Sequence, residues 1–269
     1  MQSSSLNKLL AQCHSGDPVQ QVEALHSLLN REAYASVPTI LELLVSPDDV
    51  VRSTATRVLG QLGTQERELV GSALINLLTD AEVIVRSEAV DTLGILGYTL
   101  ATEAIKSLLK NDPEPIVRAS AAESLGDLGN VNALEELESA LLDPDESVRA
   151  YAASSIGLLG TPQLLPKLQT YIESETSSGV KAQLFGARAR LGALEDFKLL
   201  LNLLDTSDED LAIMILNLFT DLMERKVPSA ITANISTMRE VLLRISQRFP
   251  ILHSHVEILI AQLIKIDTF

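Results

Sequence analysis

Between residues 48 and 160 the apolar positions fall on one face of a helix four times over, in the same register. Residues 48–63 read DDVVRSTATRVLGQLG, 82–97 EVIVRSEAVDTLGILG, 114–129 EPIVRASAAESLGDLG and 145–160 DESVRAYAASSIGLLG. In the first of them Val51, Ala55, Val58, Leu59 and Leu62 recur at three- and four-residue steps, the spacing of an amphipathic helix. Each segment opens on an acid, which complements the positive end of the helix dipole. Each closes on a glycine (Gly63, Gly97, Gly129, Gly160), where a helix stop belongs. Shorter amphipathic runs at 37–45, 66–78, 101–110, 131–142 and 162–173 precede them and are read as partner helices. Pro38 and Pro162 suit helix starts, and Ser46-Pro47, Asp112-Pro113 and Asp143-Pro144 mark the turns between partners. The pattern predicts an all-α chain built of helical hairpins.

The arginines give the period. Arg52, Arg86, Arg118 and Arg149 lie 34, 32 and 31 residues apart. The same register extended outward reaches Gln21, Lys181 and Ala212, so about seven hairpins are expected. A hairpin of this size cannot cover its own apolar faces, whereas a stack of them can, with the terminal units altered as caps. The ends are altered: residues 1–16 supply one polar-edged helix, and 228–269 lose the Val-Arg signature and become two longer helices, 232–249 and 251–266, around Pro250. The whole of 1–269 is read as one solenoid: an N-terminal cap helix over 1–16, repeats over 17–225 and capping helices over 226–269.

The motif D/E-x-x-V-R-x-x-A-x-x-x-L-G-x-L-G resembles that of the HEAT-repeat family, and specifically its short-repeat branch of phycobilisome lyase-type proteins. The resemblance is strong over 48–160, weaker over 17–47 and 161–225, and absent beyond 226. It implies a right-handed α-solenoid with first helices outside and second helices lining a concave surface. It also implies an acid–arginine ladder tying neighbouring repeats together. The acids expected to pair with Arg52, Arg86, Arg118 and Arg149 are those four residues earlier, Asp48, Glu82, Glu114 and Asp145, in the favourable acid-first order.

With the apolar stripe inward, the positions two, five and nine after each arginine face the groove. They are Thr54, Arg57, Gln61; Glu88, Asp91, Ile95; Ser120, Glu123, Asp127; and Tyr151, Ser154, Leu158. Glu88, Asp91, Glu123 and Asp127 make this face acidic, and Tyr151 with Leu158 supplies an aromatic and an aliphatic contact. Such a face either docks a protein or is merely solvated.

Composition narrows the chemistry. A net charge of −15, from 36 acidic and 21 basic residues, argues against binding a phosphate backbone. It suits a partner protein with a basic or mixed surface. One cysteine, Cys13, excludes an internal disulfide and an all-thiolate metal site, and leaves only a share in an iron–sulfur cluster with a partner. No run of 18 apolar residues suggests a membrane span, and the first ten residues lack the basic and apolar regions of a secretion signal, so a cytoplasmic protein is expected. No residue set suggests catalysis: an open groove gives paired carboxylates no confined pocket in which to work as acids. His253 and His255 sit two apart and point to different sides of a helix. The expectation is therefore a non-catalytic scaffold binding a partner protein, without cofactor. The family resemblance adds two alternatives, a lyase-like subunit handling a linear tetrapyrrole in a hetero-oligomer, and a partner in iron–sulfur cluster assembly.

Overall fold

The local signals set out above decide where each helix starts and stops. In the computed structural model, which describes residues 2–225 and 229–267, the side chains of Asp17, Asp48, Asp145, Ser177 and Asp208 each accept a backbone N–H in the first turn of the helix they precede. Glu82 and Glu114, one methylene longer, do not cap their helices through the side chain. Gly97 and Gly129 end their helices in the left-handed region (φ +62° and +70°), while Gly63 and Gly160 stop theirs at φ −88° and −75°. The left-handed stop therefore serves two of the four motif glycines.

The chain has the all-α helical-repeat fold, with no strand among the described residues. It divides into two compact units, Met1–Glu136 and Leu137–Phe269. Unit 1 runs α1 (Gln2–Cys13), α2 (Pro18–Asn30), α3 (Val37–Glu42), α4 (Asp49–Leu62), α5 (Arg67–Ile75), α6 (Val83–Ile95), α7 (Thr102–Asn111) and α8 (Pro115–Asp127). The division falls within α9 (Leu134–Ala140). Unit 2 continues with α10 (Glu146–Leu159), α11 (Leu165–Ser174), α12 (Ser178–Arg190), α13 (Leu194–Thr206), α14 (Glu209–Glu224), α15 (Ser229–Thr232), α16 (Ile235–Arg248) and α17 (His253–Asp267). The expected boundary between repeats and caps, 225/226, adjoins residues outside those described.

In unit 1 the second helices α2, α4, α6 and α8 pack side by side over a core that includes Leu25, Leu28, Ile40, Leu59, Leu74, Leu93, Ile105 and Leu125, all fully buried. Close approach of these helices depends on Gly60 and Gly94. A Cβ at Gly60 would lie 3.2 Å from Thr92 Cγ2, and one at Gly94 only 2.7 Å from Ser124 Oγ. Small hydroxyls fill the remaining space: Ser87 and Ser120 share a 2.9 Å hydrogen bond, and Ser124 donates to Val90 O at 3.0 Å. Unit 2 repeats the device at Gly157, where a Cβ would meet Ala187 Cα at 2.7 Å. Its core gathers around the tilted pair Phe197 and Phe219, whose centroids are 5.6 Å apart.

The arginine ladder exists, but with different acids from those expected. Arg52 Nε and Nη2 each donate at 2.8 Å to the carboxylate of Asp80 in the next hairpin's turn, not to Asp48. Arg86 grips Asp112 in the same way, at 2.8 and 3.1 Å, and Arg149 grips Glu175, again at 2.8 and 3.1 Å. In each case Nη1 turns back to a carbonyl of its own hairpin turn: Ser46, Asp80 or Asp143. Arg118 likewise donates to the carbonyls of Asp112 and Pro113. Asp48 and Asp145 give their carboxylates to helix N–H groups while their arginines span to the next turn; Glu82 caps nothing through its side chain, and Arg86 spans to Asp112 all the same. A planar guanidinium and a carboxylate then meet as a two-point fork.

Candidate partner-binding face

The expected groove positions separate by their distance from the packed helix seams. Position two after the arginine is covered in two hairpins: Thr54 is 2% exposed and Ser120 9%, the latter bonded to Ser87 of the neighbouring second helix. These two correct the sequence reading, since the close glycine-mediated packing swallows a position that helical geometry alone turns outward. Position five is open at Arg57 and Glu123 and half-buried at Asp91. Position nine is open at Gln61, Ile95 and Asp127.

Unit 1 brings Glu88 and Asp91 of α6 together with Arg57 of α4 and with Ser120 and Asp127 of α8. Arg57 Nη1 stands 3.8 Å from Glu88 Oε1. Burial pushes the Glu88 carboxyl above the ordinary carboxylate range, with repulsion from Asp91 adding to the shift and Arg57 opposing it. Burial also raises Asp91, opposed by its hydrogen bond with Ser120 and reinforced by Asp127. Two carboxyls are thus held on this face in a setting that penalises their charge and rewards an approaching cation.

Unit 2, taken by itself, places Tyr151 on the second-helix face of α10 with 40% of its surface exposed, and Leu158 half-buried on the same helix. Farther along that unit, α12 carries Arg190 in the position-nine column. Its guanidinium is inaccessible, bonded to Asp221 at 2.6 Å through Nη2, while Nε and Nη1 have no partner.

The remaining candidates have structural surroundings. Cys13 is wholly buried, its backbone carbonyl accepts from Gln21 Nε2 at 2.9 Å, and burial holds its thiol pKa up. A thiol so placed is a poor ligand for a shared cluster. His253 bonds Ser246 at 2.7 Å and lies 3.2 Å from Glu257, whereas His255 reaches Thr220 at 3.1 Å, so the two rings face different neighbours. Among the described residues no group of three or more His, Cys, Asp or Glu is arranged to hold a metal. Among the described residues no helix is long and apolar enough to cross a membrane.

One row was missed by the sequence reading. The residue two before the arginine column is Val19, Val50, Ile84 and Ile116 in the four hairpins of unit 1, and each is exposed. The signal was present in the aligned motifs, as an aliphatic where a solvated first turn calls for a polar residue.

Asp91 and Asp80 have oppositely signed pH behaviour. Asp91 carries a raised pKa, so its stabilising protonated form is present below the ordinary carboxylate range and is lost as pH rises through the raised value. Burial raises Asp80 too, but the bonds from Arg52 and the Glu82 N–H outweigh it and leave the pKa lowered. Its contribution is present above the ordinary range and is lost as pH falls. Asp91→Asn is expected to raise the melting temperature at pH 7 and Asp80→Asn to lower it, with both differences shrinking on acidification to pH 3. Melting curves across that range test the signs.

Comparison with known proteins agrees with the architecture. The HEAT repeats family matches residues 6–69, 71–147 and 134–217. No curated protein matches the chain in sequence. Among solved structures, CpcE and CpcF of phycocyanin lyase from Nostoc sp. PCC7120, solved as a complex, give 21% identity over 57% of this chain and 98% of that one, at a TM-score of 0.49. An engineered protein gives 20% identity over 96% and 77%, at 0.50. YibA of E. coli gives 17% over 88% and 96%, at 0.51.

Proposed function

The chain belongs to the HEAT-repeat family, and from that premise we propose that it is a non-catalytic scaffold that binds a partner protein through the acidic face of the second helices of unit 1. The observation that carries this is the carboxylate group of unit 1, where Glu88 and Asp91 are half-buried beside Asp127 and face Arg57 as the nearest cation. A basic partner surface relieves this unfavourable charge, which is the condition for electrostatic complementarity at an interface. Tyr151 and Leu158 are proposed as further contacts of the same kind in unit 2.

The test is a charge reversal. Proteins co-purifying from the native cell with the parent chain are expected to be lost with Glu88→Lys/Glu123→Lys. Binding of the identified partner should weaken at least tenfold, while helical content stays at the parental value. Partner binding that survives the double reversal overturns the acidic face as the docking site.

A further inference from the structure

Unit 1 carries a second regular feature beside its acids. Val19, Val50, Ile84 and Ile116 occupy one repeat position, two residues before the arginine column, and are 66%, 54%, 46% and 54% exposed. Unit 2 has Ser147, Gly179 and Asp210 at that position. The exposed aliphatics are therefore confined to unit 1 and are not a requirement of the repeat. Because α2, α4, α6 and α8 pack side by side, the four side chains form a row crossing those helices.

The row lies on the same helical face as the acids. Positions two before and two after the arginine are four residues apart, and position five lies three further on, so all project from one side. Seven residues of helix rise about 10.5 Å, which places the aliphatic row one helix width from Asp91 and Glu123. Neighbouring packed helices stand about 8–10 Å apart, close to the rise of seven residues in a helix laid across them.

We propose that this face receives an amphipathic, cationic α-helix of a partner protein, lying across α2, α4, α6 and α8. Its aliphatic residues at i, i+7, i+14 and i+21 rest on Val19, Val50, Ile84 and Ile116, and its lysines or arginines lie over Glu88, Asp91 and Glu123. Charge complementarity selects this occupant. An acidic helix would be repelled by the carboxylates, and an aliphatic one without cations would bury them further without bringing any positive charge. Pushed-up carboxyls at Glu88 and Asp91 agree with a face that is completed by an incoming cation. This inference rests on the docking function proposed above and adds the class of partner.

Two labelled synthetic peptides of about 25 residues, made of Leu, Lys and Ala in equal composition, separate the two claims. One places its leucines along a single helical stripe at seven-residue intervals; the other scatters them around the helix. The patterned peptide is expected to bind the full chain at least tenfold more tightly and to gain helical ellipticity on binding. Ile84→Ser/Ile116→Ser should erase that difference without changing the melting temperature, and Val19→Ser/Val50→Ser provides a second pair should the first melt early. If both peptides bind equally, yet both weaken with Glu88→Lys/Glu123→Lys, the amphipathic-helix inference is overturned while the acidic docking face stands. If neither peptide responds to the charge reversal, both claims fall.

Discussion

Arg86→Ala is expected to destabilise unit 1 by about 3 kcal/mol, near the lower end of the 3–5 kcal/mol cost of breaking a buried ion pair from one side. The pair qualifies as buried, since the Arg86 and Asp112 side chains are 11% and 3% exposed. Removing the guanidinium leaves Asp112 in place with the Glu114 N–H as a remaining donor, at 3.0 Å. It also strips the Asp80 and Ala81 carbonyls of the Nη1 donor that ties the turn together. Most of the penalty is therefore the stranded carboxylate. Arg86→Ala/Asp112→Ala should recover a large part of the loss, and a double-mutant cycle by denaturant unfolding measures it. Arg86→Lys should behave more like the alanine variant than the parent, because a single ammonium cannot make the two-point fork. A loss below about 1 kcal/mol for Arg86→Ala would show that the ladder does not hold hairpins together.

Gly157→Ala is expected to destabilise unit 2 by about 1–3 kcal/mol through overpacking, despite the better helix propensity of alanine. The new Cβ would sit 2.7 Å from the Cα of Ala187 and 3.0 Å from its Cβ. A backbone atom cannot swing aside, so the closely packed α10 and α12 must separate. Gly60→Ala is the internal comparison. There the nearest atom is a threonine methyl at 3.2 Å, which can yield by a few tenths of an ångström. The melting temperature should therefore fall clearly more for Gly157→Ala than for Gly60→Ala. Equal effects would mean that propensity, not helix approach, governs these glycines.

These two predictions show why some of the chain could be read before its structure and some could not. The glycines at 60, 94 and 157 stand out in the aligned motifs, but their role is set by which atom faces each one across the seam. The terminal glycines were legible as stops, yet only Gly97 and Gly129 take the left-handed turn. The acidic character of the face at Glu88, Asp91, Glu123 and Asp127 followed from helical geometry. Its raised carboxyl pKa values did not, because they arise from burial by neighbouring helices. The aliphatic row escaped notice for a simple reason: apolar residues in a repeat are ordinarily assigned to its core, and exposure separates the two roles.

The sequence by itself determined the helices, their hairpin pairing and their 31- to 34-residue register. Those depend on short-range physics: a 3.6-residue apolar period, N-terminal caps, and glycine or proline at the turns. Only the tertiary structure decided which acid each arginine reaches, which groove positions are covered, and that the chain gathers into two compact units. Those outcomes depend on the side chain that arrives from a residue some 26 to 34 positions away. Spacing along one helix cannot rank Asp48 against Asp80 as the partner of Arg52. The first is nearer in sequence, but its carboxylate is already committed to the backbone, and the second is presented by the next hairpin at fork geometry.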